Sequence, residues 1–575
     1  MRGLRRTALL VLPLLTLPPP SAAQQIGPVP QGSPIPRILP RSAPELGPAG
    51  PEVPAPAETP MPDMAVPIAT VRIEGATAYP VSELERLLPP LTGPAVPLAR
   101  IEQARLALLR RYREDGYVLT GVSAEVEAGG RLRFLVAEGR ISQVLLDGDI
   151  GPAATQVLLF LQRLVTTGPL DQALLERQLL LAQEVPGVTI RSVLRPVPGG
   201  DPGELQLIAQ LSRTPWSALL AADNRGYQLV GPEQAVAALS LNSFTQYGER
   251  TDIILFRSFN DTQTFGQVAF ETFVGGSGLR FRLQGGAGNS NPTGELRAIG
   301  YEGTTSLVSG SLIYPLVRRR SQVATLFAGL EALENEIRLG VQGGGDARAS
   351  YDSLRVLRAG GEWASQDVLL GDAFPALNSA NIRFSQGLSG LGASSNGAAL
   401  AGRSGQVVDF FKVAGEVTRT QSLFTPWDGA VVGLFGLVAF QWSPDVLPPI
   451  EKFYLGGLRL NRGYYAGEVT GDKALSTSVE LRLDDAWNVD LFGRSTEVAA
   501  QFYMFYDWGQ SFENQPDQPD RRLSSAGAGV RFLVDRRTEI QFEGVTRFNR
   551  YPQGNLPGVE PLSQDAAYWR VVTRF

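Results

Sequence analysis

From Thr214 to the C-terminus, about 360 residues carry no helical periodicity. Short segments of alternating apolar and polar residues run through this stretch, separated by Gly, Asn, Asp, Ser and Pro; residues 216–224, 235–241, 251–256, 267–273, 279–284, 323–330 and 354–361 are of this kind. Alternation places one apolar and one polar face on each strand. With about 22 residues per strand and connection, the stretch holds about 16 strands, within the range of transmembrane barrels. An even number returns both barrel ends to one side of the membrane. In the last segment Trp569, Val571, Thr573 and Phe575 alternate with Arg570, Val572 and Arg574, and Phe575 is the terminal residue. The expected arrangement turns Trp569 and Phe575 to lipid and the arginines to a wet lumen, where a charge costs little.

The other end of the chain fits export. Met1-Arg-Gly-Leu-Arg-Arg precedes an apolar run from Ala8 to about Leu17 and then Ser21-Ala22-Ala23-Gln24. This is the order of a signal peptide, with cleavage expected after Ala23. The run is shorter than the roughly 20 apolar residues that span a bilayer, and Pro13, Pro18, Pro19 and Pro20 break it. No later run is long enough for a transmembrane helix, so membrane entry requires a closed barrel. Residues 24–65 are crowded with Pro and Ala and hold few large apolar side chains. Such composition reads as an extended or disordered spacer, in preference to a segment that enters the pore.

Missing residue types narrow the chemistry. The chain has no Cys and no His, which excludes disulfides, cysteine nucleophiles, histidine acid–base catalysis and the commonest zinc sites. A formal charge of −5 without a basic tail argues against nucleic-acid binding. The glycine-rich runs at 275–278 and 343–346 lack the lysine and following helix of a phosphate cradle. No enzyme activity, metal or cofactor is expected.

Between the spacer and the barrel one order of elements occurs twice. Val71 and Ile73 alternate with Arg72 and Glu74, giving a strand that stops at Gly75. A short helix over 82–88 ends at Pro89-Pro90. Ile101, Ala104, Leu108 and Tyr112 recur at helical spacing up to Asp115-Gly116. Strands over 118–127 and 131–137 flank the Gly129-Gly130 turn. The same series returns as a strand at 142–146, helices at 154–164 and 170–183, and strands at 187–195 and 205–211. The expected domains are therefore 1–23, 24–65, 66–140, 141–213 and 214–575. On Gly116-Tyr117-Val118, Val136-Ala137-Glu138-Gly139-Arg140-Ile141 and Glu184-Val185-Pro186-Gly187-Val188, the two α+β repeats resemble POTRA domains, the periplasmic modules of outer-membrane translocators.

The most specific stretch is Glu451-Lys-Phe-Tyr-Leu-Gly456-Gly457-Leu-Arg-Leu-Asn461-Arg462-Gly463-Tyr464. It resembles the signature of hemolysin secretion/activation proteins, the outer-membrane transporters of two-partner secretion. In that family a Gly-Gly pair precedes an Arg-Gly-Tyr/Phe tip on a loop that folds back into the barrel; Asn461 stands where Val or Leu is more usual. Phe505-Tyr506-Asp507-Trp508-Gly509 resembles the superfamily's strand motif Phe-x-Asp-x-Gly, whose aspartate the resemblance pairs with the loop arginine. Asp223-Asn224-Arg225-Gly226, Tyr314-Pro315-Leu316-Val317 and Gly527-Ala528-Gly529-Val530-Arg531 resemble further barrel segments of the family.

The resemblance implies two α+β POTRA domains followed by a transmembrane antiparallel β-barrel. It implies a loop plug built on Gly456, Gly457, Arg462, Gly463 and Tyr464, a wall motif of Phe505, Asp507 and Gly509, and Trp569 with Phe575 as assembly signal. It also implies an unfolded exported partner of large β-helical type, outer-membrane lipid, and barrel-assembly machinery for the chain's own insertion. The alternative is a barrel-assembly or insertase protein of the same superfamily.

Overall fold

The computed structural model describes residues 33–38, 62–341, 344–491, 493–554 and 560–575. The expected signal peptide and most of the proline-rich segment lie outside the described residues.

The first repeat is a three-stranded sheet in the order Thr70–Glu74, Arg131–Ala137, Gly121–Glu127, parallel at the first pairing and antiparallel at the second. Helices Val81–Glu85 and Leu98–Glu114 cover one face. Ile101, Ala104, Leu108 and Tyr112 pack on Leu132, Phe134 and Val136, all buried, as the periodicities require. The long helix stops because Gly116 turns left-handed, φ 90°, and lets the Tyr117 amide reach back to the Tyr112 carbonyl at 2.9 Å. A ribbon of Ala65–Ile68 with Gly93–Pro97 was not legible, because Pro67, Pro94 and Pro97 interrupt both strand patterns. At the junction Glu138 accepts the amides of Thr77 and Ala78 at 2.8 and 2.9 Å and the Tyr112 hydroxyl at 2.7 Å. These donors outweigh desolvation and hold its carboxyl below the ordinary value.

The second repeat has the same sheet order, Arg140–Asp147, Glu204–Arg213, Val188–Pro196, under helices Ala154–Leu161 and Gln172–Gln183. Those helices dock on one end of the barrel. Arg177 donates to the carbonyls of Pro315, Leu316 and Ser277, Arg318 pairs with Glu184 at 2.6 Å, and Phe160 meets Phe273 edge-on. The glycine-rich run at 275–278 is thus a barrel turn held by the second repeat.

The barrel closes with sixteen antiparallel strands, from the first, Trp216–Asp223, to the sixteenth, Asp565–Arg574, which pairs back onto the first. Closure leaves no edge, the condition for strands to cross a membrane. No helix among the described residues is long and apolar enough to do so. Outward positions such as Ile253, Leu255, Val268 and Phe270 stay exposed and face the hydrocarbon. Inside, the lumen is two-sided. Val236, Phe256, Phe265, Leu307, Leu333, Leu354 and Val356 make an apolar wall, and the twelfth to fifteenth strands carry the buried charges Glu480, Asp507, Glu543 and Arg547. Ile35, in the turn of helix Ile35–Ile38, packs into the apolar wall. This piece of the proline-rich segment is therefore seated inside the barrel, away from the spacer role its composition suggests.

Candidate functional site

Between the eleventh strand, Val431–Trp442, and the twelfth, Lys473–Leu491, residues 443–472 fold back into the lumen. Within the loop a small ribbon forms, Phe453–Leu455 with Val469–Gly471. Gly456 and Gly457 then turn it at φ 99° and 108°; a Cβ on Gly456 would lie 2.0 Å from the Tyr465 carbonyl oxygen. Both glycines of the pair are thus required by backbone geometry.

At the tip Arg462 is 4% exposed and grips the thirteenth strand, Arg494–Phe512. Its Nε and Nη2 donate to the two carboxylate oxygens of Asp507 at 3.0 and 2.9 Å. The Arg462 amide adds a third bond to the same carboxylate at 2.8 Å. The guanidinium lies 3.7 Å above the Phe505 ring. Fork, carboxylate and aromatic face together use all that distinguishes arginine from lysine. Phe505, Asp507 and Gly509 share the inward face of one strand because they alternate.

The remaining motif positions have separate reasons. Asn461 carries the left-handed turn, φ 53°, a conformation asparagine tolerates, and its side chain lies where a Cβ on Gly509 would fall, 2.3 Å from Oδ1. Gly463 has an ordinary φ, unlike Gly456 and Gly457. It is glycine because a Cβ would come 2.5 Å from that of Ser525 on the fourteenth strand, Arg521–Val534. The fully buried Tyr464 donates to the carbonyl of Asn549 at 2.8 Å, with that of Ser524 at 2.9 Å. Trp569 follows Tyr568, whose hydroxyl reaches the Gly463 carbonyl of the tip, but turns its own side chain the other way. Trp569 is half-buried on the outer face, and Phe575 is 62% exposed at the end of the sixteenth strand.

Several contributors lie outside the loop-tip and wall motifs, although Arg225, Arg531 and Glu451 stand in segments that resemble the family. Ser478 and Glu480 of the twelfth strand also bind Arg462, and Glu480 pairs with Arg482 and Arg531 at 2.7 and 2.9 Å. Arg225 and Arg547 donate to the tip's carbonyls, of Arg462 and Gly463 respectively. At the loop's stem Glu451 is buried between Arg358 of the eighth strand, Asp346–Asp367, at 2.7 Å and Lys412 of the tenth, Phe411–Phe424, at 2.6 Å. Arg403, from the loop before the tenth strand, holds Asp472 at 2.7 Å. The loop thus spans the lumen between two walls. Alternation marks those on strands as inward-facing, leaves the loop residues Arg225, Arg403, Glu451 and Asp472 unmarked, and nothing in sequence spacing says which of them meet.

Residues 204–532 match the model described as haemolysin secretion/activation protein ShlB/FhaC/HecB. The chain belongs to this family. Residues 66–139 match the ShlB-type POTRA domain, so the first repeat is a POTRA domain. CdiB from Escherichia coli has a similar structure, with TM-score 0.66 and 20% identity over 91% of this chain and 92% of that one. CdiB from Acinetobacter baumannii superposes with TM-score 0.60 and 14% identity over 93% and 95%. BamA from Haemophilus ducreyi lacking its first three POTRA domains gives TM-score 0.51 and 14% identity over 88% and 100%. No curated protein matches the sequence. At these identities the solved structures show a shared fold. As a haemolysin secretion/activation family transporter of two-partner secretion, the chain lies in the outer membrane with its POTRA region in the periplasm. The barrel turns against the second repeat are therefore periplasmic, and the loop at 443–472 enters from the outer face.

Proposed function

We propose that this transporter binds an unfolded exported partner at its periplasmic repeats and secretes it through the barrel once the loop plug shifts. The observation that carries the reading is the Arg462–Asp507 pair: a loop entering from outside is fastened deep in the lumen by a buried, bidentate ion pair. A plug so held blocks passage until the pair is broken. In the second repeat Val188–Pro196 forms the outer edge of the sheet beside helix Gln172–Gln183. An extended segment can add there as a further strand, because backbone groups on a sheet edge are free to pair. Folding of the partner outside would bias movement outward with no catalytic step and no cofactor. A large β-helical polypeptide suits such a route, and barrel-assembly machinery would insert the transporter itself, using its terminal strand.

The test is export of a candidate partner by cells carrying wild type, Arg462→Ala or Asp507→Ala, with barrel assembly checked by heat-modifiable migration. Loss of export from assembled barrels supports the reading. Unchanged export, with depletion of other outer-membrane barrels on deletion, would replace secretion by an insertase role.

A further inference from the structure

The seam where the sixteenth strand meets the first is the shortest stretch of ladder near the loop tip. Its register runs from Arg570 opposite Asp223 to Arg574 opposite Leu219, five residue pairs, against nine between the fifteenth and sixteenth strands and eight between the first and second. At its periplasmic end Phe575 and Ala218 exchange two further backbone bonds. At its outer end the backbone ladder stops, and Asn224 continues it with a side chain. The Asn224 amide donates to the Ala567 carbonyl at 3.1 Å and accepts the Trp569 amide at 2.8 Å. Both partners lie on the sixteenth strand beyond its last paired residue, so the carboxamide does what another strand residue would do.

The next residue turns inward. Arg225 is 2% exposed. It passes 4.0 Å from the Tyr568 ring of the sixteenth strand and pairs with Glu543 of the fifteenth strand, Thr538–Arg547, the residue opposite Tyr568 in register. The same guanidinium donates to the loop carbonyls of Arg462 and Gly457, and the Arg225 carbonyl accepts the Ala466 amide at 3.1 Å. Tyr568 adds a bond of its own to the Gly463 carbonyl at 3.0 Å. Every strand of the seam region therefore touches the loop tip through these two positions and their partners.

We propose that Asn224 and Arg225 couple closure of the barrel seam to seating of the loop tip. Asn224 fastens the first strand to the sixteenth, and Arg225 carries that attachment across the sixteenth strand to Glu543 and to the carbonyls of the tip. Arg225 is a positioning residue: withdrawing the tip strips its guanidinium and carbonyl of loop partners, and fraying the seam moves its backbone away from the tip. Coupling of this kind is reciprocal. The inference concerns the barrel and its own loop and holds whatever polypeptide is exported.

The absence of cysteine makes the test clean. In the full-length protein in liposomes, Leu460→Cys reports loop seating through its rate of maleimide labelling, and deuterium uptake at 219–223 and 569–574 reports the seam. Asn224→Ala, which removes no contact to the loop, is expected to raise labelling at least about fivefold, the lower end of ordinary coupling between sites. Arg462→Ala, whose lost side chain reaches neither seam strand, is expected to speed exchange at the seam by a like factor. In an Arg225→Ala background both cross-effects should vanish; if that variant does not assemble, Arg225→Lys, which keeps a charge opposite Glu543 without the fork, replaces it. Absence of both cross-effects in barrels that keep heat-modifiable migration overturns the proposal. So does their persistence without Arg225.

Discussion

Arg462 and Asp507, 45 positions apart in sequence, meet through two side-chain bonds and one backbone bond, with Asp507 wholly buried. The loop tip's position follows from this pair more than from any other contact, because each partner would be left as a buried charge without the other. Removing one side of a buried pair costs about 3–5 kcal/mol. Lumen water and the neighbouring Glu480 reduce that for Arg462. Asp507→Ala and Arg462→Ala are therefore expected to raise single-channel conductance in planar bilayers, and Arg462→Lys should behave nearly as Arg462→Ala because it cannot present a fork. Conductance equal to wild type in all three would remove the pair from the closure of the pore.

At the stem the prediction is asymmetric. Glu451→Ala leaves Arg358 and Lys412 facing each other with their shared anion gone, whereas Arg358→Ala leaves Glu451 its bond to Lys412. Protease sensitivity of the loop should rise more for Glu451→Ala than for Arg358→Ala. The opposite order would show that the eighth strand, and not the loop, depends on this cluster.

Gly509→Ala places a methyl group 2.3 Å from Asn461 Oδ1. Overpacking of this kind costs about 1–3 kcal/mol, and here the yielding group is the residue before Arg462. Loop labelling should increase in Gly509→Ala and return towards wild type in Gly509→Ala/Asn461→Gly, since glycine keeps the left-handed turn and vacates the space. A double variant no better than the single one would place the strain elsewhere.

The first repeat should show an acid-sensitive step. Glu138 has its folded-state carboxyl held below the ordinary value, by bonds from the Ala78 and Thr77 amides and the Thr77 and Tyr112 hydroxyls that outweigh desolvation. A depressed carboxylate contributes stability that is complete above its unfolded value of about 4.3 and is lost as pH falls through the lowered folded value. Deuterium uptake at 77–79 and 112–117 should therefore rise on acidification below about pH 4.3, and Glu138→Gln should show that uptake at neutral pH as well. Acid-independent uptake in the wild type would contradict this assignment.

Phe575 separates two roles at the terminus. Its backbone exchanges bonds with Ala218 at 2.9 and 3.2 Å, and its exposed ring is the expected assembly signal. Phe575→Ala keeps the backbone and should slow barrel assembly in cells without changing thermal stability of the assembled protein. Equal loss of stability on Phe575→Ala and on deletion of the residue would make the ring a structural contact.

What the sequence determined by itself was what local physics can encode. Alternation to Phe575 implied a barrel, period and turn residues marked both repeats, and Arg462 with Asp507 stood out through the resemblance of their two segments to family motifs, since residue type alone would have left them an ordinary loop cation and a channel-lining acid. The ribbon at 65–68 and 93–97 escaped because proline suppresses the pattern that would reveal it. Other features were decided only when the chain closed. Alternation says that Arg358 and Glu543 point inward and is silent on Glu451 and Arg225, which lie in connections; only the register of sixteen strands and the path of those connections set which meet across the lumen. The seat of Ile35 depends on an apolar wall assembled from six strands, so its own proline-rich surroundings could not announce it. Gly463 needs no left-handed φ; its glycine answers to Ser525, a neighbour 62 positions along the chain. A lumen is an interior made of residues distant in sequence, and the contacts across it are fixed by strand register and barrel closure, neither of which any single segment contains.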